Sequence, residues 1–258
     1  MDEEIDFYAE FNHLQEGLKK RLFKKVNYSQ CAEDFIELGH TMKREGRSVD
    51  AAVSYMSAAQ CFKNVPDSIQ EAYYEIEAGS LLWKTQLESE VSDPLKLIGG
   101  FDAPMQSLAP EAEHCYINAI EIYLKQGEYY MASMLYADLG ANVAALDRKE
   151  QASIYYEKAA QLIERDDPLV AAECIQNAIE CRIYVEDYEA AHEAVLWRIA
   201  VLQHRAGPDS EWTKQLPHVH DGVAECLAAA ALLKLLQRDY VAAEDALRTL
   251  ATHSRAAM

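Results

Sequence analysis

Apolar residues recur along this chain at spacings of three and four, which is the period of a helix with one buried face. With Gly, Pro and Asp as punctuation, that period predicts helices near 5–24, 29–45, 48–63, 67–88, 110–126, 128–145, 149–164, 168–185, 188–205, 221–237 and 240–253. Asp67 and Asp167 stand where N-caps are needed, and Pro168 suits a first helical turn. No stretch shows the strict alternation of a half-buried strand, so the fold class expected is all-α.

The helices repeat in pairs. Phe35, Leu38, Gly39 and Met42 on one helix are followed by Ala51, Tyr55 and Ala58 on the next, with Gly46 in the turn. The same places are filled by Tyr136, Leu139, Gly140 and Val143, then Ala152, Tyr156 and Ala159. This is the tetratricopeptide pattern: small residues sit where two helices cross, and large ones fill the space between. A weaker copy begins with Ala78, Gly79 and Leu82 and resumes at Ala112, Tyr116 and Ala119. The strings GEYYMA (127–132), DYEAAH (187–192) and DYVAAE (239–244) each place an acid and a tyrosine before a small residue that opens a helix. A tetratricopeptide-like α-solenoid of antiparallel helix pairs follows from these copies.

Two stretches interrupt the array. ESEVSDPLKLIGGFDAPMQSLAP (88–110) carries three prolines and a Gly-Gly pair, and AGPDSEWTKQLPHVH (206–220) carries two prolines. Leu95, Leu97, Ile98 and Phe101 make the first an expected flap against its neighbours, and the second reads as a mobile linker. The organisation expected is a solenoid over 1–205 with an inserted loop at 88–110, a linker at 206–220, and a C-terminal helical hairpin at 221–258.

Composition narrows the function. Only 10 Gly and 7 Pro in 258 residues fit long helices joined by short turns. A formal net charge of −19 repels phosphate backbones and anionic lipid, which disfavours nucleic acid and membrane insertion. Cys31, Cys61, Cys115, Cys174, Cys181 and Cys226 fall singly inside apolar helical stretches and read as reduced, buried thiols. The acidic start MDEEIDFYAEF lacks the basic, then apolar, pattern of a signal peptide. The apolar run 226–233 is too short to span a bilayer. A soluble, cytosolic protein is the expectation.

Nothing has the spacing of a catalytic motif, and no cofactor or metal is expected. His218, His220 and Asp221 have ligand chemistry but sit in the presumed linker, where no fourth rigid ligand is in view. The basic run LKKRLFKK (18–25) ends an amphipathic helix whose stripe is Phe7, Phe11, Leu14, Leu18 and Leu22. Lys19, Lys20, Arg21, Lys24 and Lys25 both suit a helix C-terminus and exceed what it needs, so they are candidate partner-binding residues. Lys43 and Arg44 are placed for part of a clamp on acidic peptide tails. Ile36, Glu37 and His40 leave that clamp incomplete. On the second strong copy the inner positions are Met134, Ala137, Asp138, Ala141, Ala144 and Ala145, a shallow surface that suits another helix.

From residue 6 to about 162 the order of features resembles one family. DFYAEF (6–11), LKKRLFKK (18–25), AEDFIELG (32–39), GGFDAPMQSLAPEA (99–112) and EKAAQL (157–162) occur in the sequence of the forty-kilodalton huntingtin-associated, or factor VIII intron, proteins. The resemblance implies a non-enzymatic partner that is clasped by huntingtin and stabilises it. It further implies a link to early endosomes through a Rab GTPase, control of endosome motility, and a nuclear pool beside the cytoplasmic one. The short linker and the stop at Met258 depart from the family and imply a divergent or partial member. ASIYYEKAAQL (152–162) is also similar to the soluble NSF attachment proteins, which would make the chain a membrane-fusion adaptor. The charged N-terminal helix and the non-acidic ending LRTLATHSRAAM weigh against that alternative.

Overall fold

The structure is a computed structural model that describes residues 6–19, 26–92, 107–205 and 217–256. Within these residues it has no strand, and helices make up 87% of them. The first five are α1 (Phe7–Gly17), α2 (Tyr28–Arg44), α3 (Ser48–Asn64), α4 (Ser68–Ser92) and α5 (Ala109–Gln126). The remaining six are α6 (Tyr129–Ala145), α7 (Lys149–Ile163), α8 (Pro168–Tyr184), α9 (Tyr188–Arg205), α10 (Pro217–Leu236) and α11 (Tyr240–Ala256).

Side chains chosen by the sequence open many of these helices. Asp6 accepts from the N–H of Tyr8 at 3.1 Å, Asp67 from Gln70 at 3.2 Å and Asp167 from Val170 at 3.3 Å. The recurrent acid-tyrosine strings have the same purpose, because Asp187 caps Ala190 and Asp239 caps Ala242, each at 3.1 Å. Each bond satisfies one of the orphan donors of a first turn.

The turns within pairs share one geometry. A single residue takes the left-handed conformation: Gly46 (φ 78°) between α2 and α3, Asp147 (62°) between α6 and α7, Glu186 (61°) between α8 and α9, and Arg238 (62°) between α10 and α11. The next N–H then reaches back five residues, as from Arg47 to the Met42 carbonyl at 2.9 Å and from Asp239 to the Lys234 carbonyl at 2.9 Å. This is the Schellman closure, which reverses the chain at a defined residue.

The chain divides into two compact units, Met1–Glu128 and Tyr129–Met258. In the first, α1 through α5 pack each on its neighbour in sequence, and Phe35, Met42, Tyr55, Trp83, Cys115 and Ile120 are fully buried. In the second, α6 through α11 pack in the same way around Leu139, Val143, Ile163, Ile175 and Val195. The antiparallel sense of α9 and α10 follows from two contacts at opposed spacings, Leu202 against Gly222 and Arg198 against Cys226. Arg198 of α9 donates to the Ala172 carbonyl of α8 at 3.2 Å and to the Cys226 sulfur of α10 at 3.2 Å. The architecture is an all-α, tetratricopeptide-like solenoid of antiparallel helix pairs.

The glycines at the crossings have the purpose their positions suggested. A Cβ on Gly79 would lie 2.6 Å from the Tyr116 ring, and one on Gly140 would lie 3.1 Å from Tyr156. At Gly39 it would collide with the ring of Tyr55 most closely of the three. Tyr55 is buried, and its hydroxyl meets Nδ1 of His40 at 2.9 Å on the far side of the crossing.

Several expected boundaries shift. Helix α1 ends at Gly17 rather than near 24, because Gly is the poorest non-proline helix former and Leu18 closes the last turn. Helix α4 runs on to Ser92, and α5 starts at Ala109, so helix covers both ends of the 88–110 stretch. The flap expected from Leu95, Leu97, Ile98 and Phe101 lies outside the described residues. Helix α10 begins at Pro217 rather than 221, since proline at a first helical position gives up an N–H that has no helical partner anyway.

Candidate binding surface

Of the basic run, only Lys19 lies within the described residues. It is 73% exposed and stands 3.7 Å from Glu16, a loose surface pair. Lys20, Arg21, Lys24 and Lys25 lie outside the described residues. The residues placed for an acidic-tail clamp are engaged within the chain. Lys43 meets Glu77 at 3.0 Å, and Arg44 donates to Thr41 at 3.0 Å. The small-residue surface of α6 is open as its pattern suggested. Met134, Asp138, Ala141 and Ala145 are exposed, while Ala137 and Ala144 are half-buried.

Phe35, Leu38, Gly39, Ala51, Tyr55 and Ala58 are buried in the first unit. Leu139, Gly140, Ala152, Tyr156 and Ala159 are buried in the second, with Tyr136 packed at the edge of that core.

The chemistry of the interior is inert. Burial pushes the Cys61 and Cys174 thiols up to about 11, and it also raises those of Cys31, Cys115, Cys181 and Cys226. A raised thiol is protonated at neutral pH and is a poor nucleophile. Burial lifts Tyr55 and Tyr156 to about 12. All six cysteines are free, five of them buried and Cys31 half-buried. Among the described residues no three His, Cys, Asp or Glu side chains are grouped to hold a metal. No helix among them is long and apolar enough to cross a membrane.

Hollows open to binding include one of about 490 Å³ between α1 and α2, bordered by His13, Leu14, Asn27, Gln30 and Cys31. In the first unit, Leu18, Val49, Val53, Met56, Leu82 and Leu108 line an apolar groove of about 470 Å³ over the outer face of α3. In the second, Lys149, Asn177, Glu180 and Tyr184 border a cleft of about 290 Å³. Lys149 Nζ lies 5.5 Å from the centre of the Tyr184 ring, a cation–π contact.

One feature escaped the sequence reading. The turn between α10 and α11 exposes Leu232 (61%), Leu235, Leu236, Tyr240 (67%) and Val241 (75%). At the turn between α8 and α9, Ile183, Tyr184 and Val185 are also exposed.

Paired antiparallel helices with left-handed turns and small-on-aromatic crossings define a tetratricopeptide-like repeat protein. The 40-kDa huntingtin-associated protein of Rattus norvegicus is 27% identical over 218 residues, spanning 83% of this chain and 55% of that protein. Its Mus musculus counterpart is 25% identical over 186 residues, spanning 72% of this chain and 47% of that protein. The chain is similar to these two proteins over most of its length. It spans about half the length of the curated relatives it matches. The alpha-soluble NSF attachment protein of Vitis vinifera is 25% identical over 143 residues, spanning 55% of this chain and 49% of that protein. No family model matches the chain. Among solved structures, BtubC (BKLC) from P. vanneervenii aligns with 98% of this chain and 92% of its own at 13% identity and a TM-score of 0.42. YrrB, a TPR protein with an unusual peptide-binding site, aligns with 88% of this chain and 92% of its own at 15% identity and a TM-score of 0.39.

Proposed function

We propose that this chain is a non-enzymatic adaptor that binds huntingtin, forming and stabilising a complex with it. The observation that carries the reading is the similarity to two 40-kDa huntingtin-associated proteins across most of this chain. Two features of the molecule accord with it. The thiols are held protonated, and the exposed apolar residues lie at turns where another protein can reach them. In this reading the complex joins early endosomes through a Rab GTPase and regulates their motility, in a cytoplasmic protein that also has a nuclear pool. The similarity of the N-terminal features to the family supports this finer part. Lys19, Lys20, Arg21, Lys24 and Lys25 steer association by charge rather than holding the complex together.

The second reading is a soluble NSF attachment protein-like adaptor in membrane fusion. It is favoured by the similarity to the Vitis vinifera protein, which spans less of the chain. Co-expression with huntingtin, followed by size-exclusion chromatography, separates the two. Co-elution at micromolar concentration, with loss of this chain from cells depleted of huntingtin, is the expected result, because binding stabilises the folded state by mass action. Separate elution together with capture by a SNARE bundle would transfer the assignment to membrane fusion.

A further inference from the structure

The groove over the outer face of α3 is apolar and accessible. Val49 is 36% exposed, Val53, Met56 and Leu108 are half-buried, and Leu82 lines the groove from α4. Water in a hollow of about 470 Å³ needs about two to four polar partners per molecule, and apolar walls supply few. The groove therefore favours an apolar occupant.

Its wall is also where the chain re-enters the described residues. Ser107 and Leu108, the first residues after 93–106, both line the groove. The Leu108 N–H donates to the buried Gln86 side chain at 2.8 Å, which fixes them there. Helix α4 ends at Ser92, six residues beyond Gln86, which is about 9 Å of helix. Residues 93–106 could span about 50 Å, far more than a direct return to Ser107 requires. The surplus is apolar: Leu95, Leu97, Ile98, Phe101 and Met105 fall within it, and the Gly99-Gly100 pair permits a reversal. Met105 is two residues from Ser107 and Phe101 is six, so they lie within about 7 and 22 Å of it. Residues 20–25 also begin near the groove, since Leu18 lines it. They join Lys19 to Val26, however, and both of these border the separate hollow between α1 and α2. That short path favours the other hollow.

We propose that the groove over α3 is the seat of this chain's own residues 93–106, with Phe101 and Met105 as the side chains that fill it. Seated there, they remove from water their own apolar surface and that of Val49, Val53 and Met56. Methionine adapts its shape to an irregular gap, and the phenylalanine ring supplies the larger buried area. The outer face of α3 is then occupied from within the chain and is not available to a partner protein.

The test uses the full chain. Benzoylphenylalanine in place of Phe101 should, on irradiation, cross-link to the peptide that contains Val49, Val53 and Met56. Met56→Ala and Phe101→Ala should each lower the urea midpoint. Together they should lower it by less than the sum of the two shifts, because the side chains share one contact. Ile69→Ala, at a residue 72% exposed and outside the groove, should add to Phe101→Ala without coupling. Phe101→Ser with Met105→Ser should raise the fluorescence of added anilinonaphthalene sulfonate severalfold, as apolar surface opens to the dye. Cross-links that miss α3, or additive shifts for Met56 and Phe101, overturn the proposal. A parent chain that already binds the dye as strongly as the double serine variant refutes it too. So does a dimer of the parent chain in sedimentation that Val53→Glu abolishes, since the groove would then hold a second copy.

Discussion

The first tight hairpin, α2–α3, and the last, α10–α11, reverse the chain with the same left-handed turn, yet they are filled and finished differently. In the first, the crossing joins Gly39 to the buried ring of Tyr55, and the tip is Arg44, Glu45, Gly46 and Arg47. In the last, Ala231 and Leu247 hold the equivalent places, Leu247 is 48% exposed, and the tip is leucine, tyrosine and valine around Arg238 and Asp239. One hairpin interlocks inside and is polar at its end. The other is loosely crossed and apolar at its end. The lesson is that the turn alone sets the backbone, so the crossing can be tuned for stability and the tip for contact, each without the other.

The largest effect expected from breaking that contrast is at the crossing. Gly39→Leu should destabilise by about 3 kcal/mol or more, and Gly140→Leu by about 1–3 kcal/mol, because each drives a side chain into a tyrosine ring. In the last hairpin the requirement reverses, and Ala231→Gly should cost about 1–2 kcal/mol through helix propensity and the loss of a buried methyl. Urea midpoints measure all three. Gly39→Leu and Gly140→Leu variants that unfold like the parent would remove the crossings from the account of stability.

An exchange at the turns sharpens the same comparison with a smaller effect. Gly46 and Arg238 share the left-handed conformation, which carries a penalty for a residue with a Cβ. Gly46→Ala should therefore destabilise by about 1 kcal/mol, and Arg238→Gly should stabilise by about 0.5–1 kcal/mol. Changes of the same sign in thermal melts would mean that the two turns are not equivalent.

The smallest effect extends the contrast to α4–α5, a pair with a glycine crossing whose connection lies outside the described residues. Glu75 lies against Asn118, Cys115 and His114 of α5 and Glu71 of its own helix, and burial raises its carboxyl above the ordinary range. Asn118 donates to it at 3.2 Å, which partly offsets the burial. A raised carboxyl makes the folded state bind more protons than the unfolded one, so its contribution to stability falls as pH rises through the raised value. Glu75→Gln should then be more stable than the parent at pH 7, with the gain vanishing as pH drops below about 4, where both states are protonated. A gain that persists unchanged at low pH in denaturant titrations would show that charge at Glu75 is not its source.

The helices and the Gly–Tyr crossings were legible in the sequence because each depends on local spacing and on residue size, and both are written directly in the chain. The end of α1 was misjudged because the apolar stripe through Leu18 and Leu22 outweighed Gly17, whose missing side chain ends the helix. The apolar tip of the last hairpin was not legible for a different reason. The run 226–233 is apolar on every side, so its period points to no particular face, and Leu232 looks as buried as Leu233. Only the packing of α9 and α11 against α10 separates them, leaving Leu233 in the core and Leu232 in solvent.

The left-handed turns also act as rulers. Gly39 and Gly46 are seven residues apart, as are Ala231 and Arg238, so a residue gained or lost in that interval would rotate the crossing off its partner. The α4–α5 pair is also fixed by a side chain. There the buried side chain of Gln86 accepts from the Leu108 N–H at 2.8 Å and from the Ser107 hydroxyl at 3.4 Å, so that α5 re-enters at a clasp on α4. A clasp measures position and is indifferent to path length. The place where α5 meets α4 is therefore set by the Gln86 side chain, whereas in the tight hairpins it is set by counting residues from the turn.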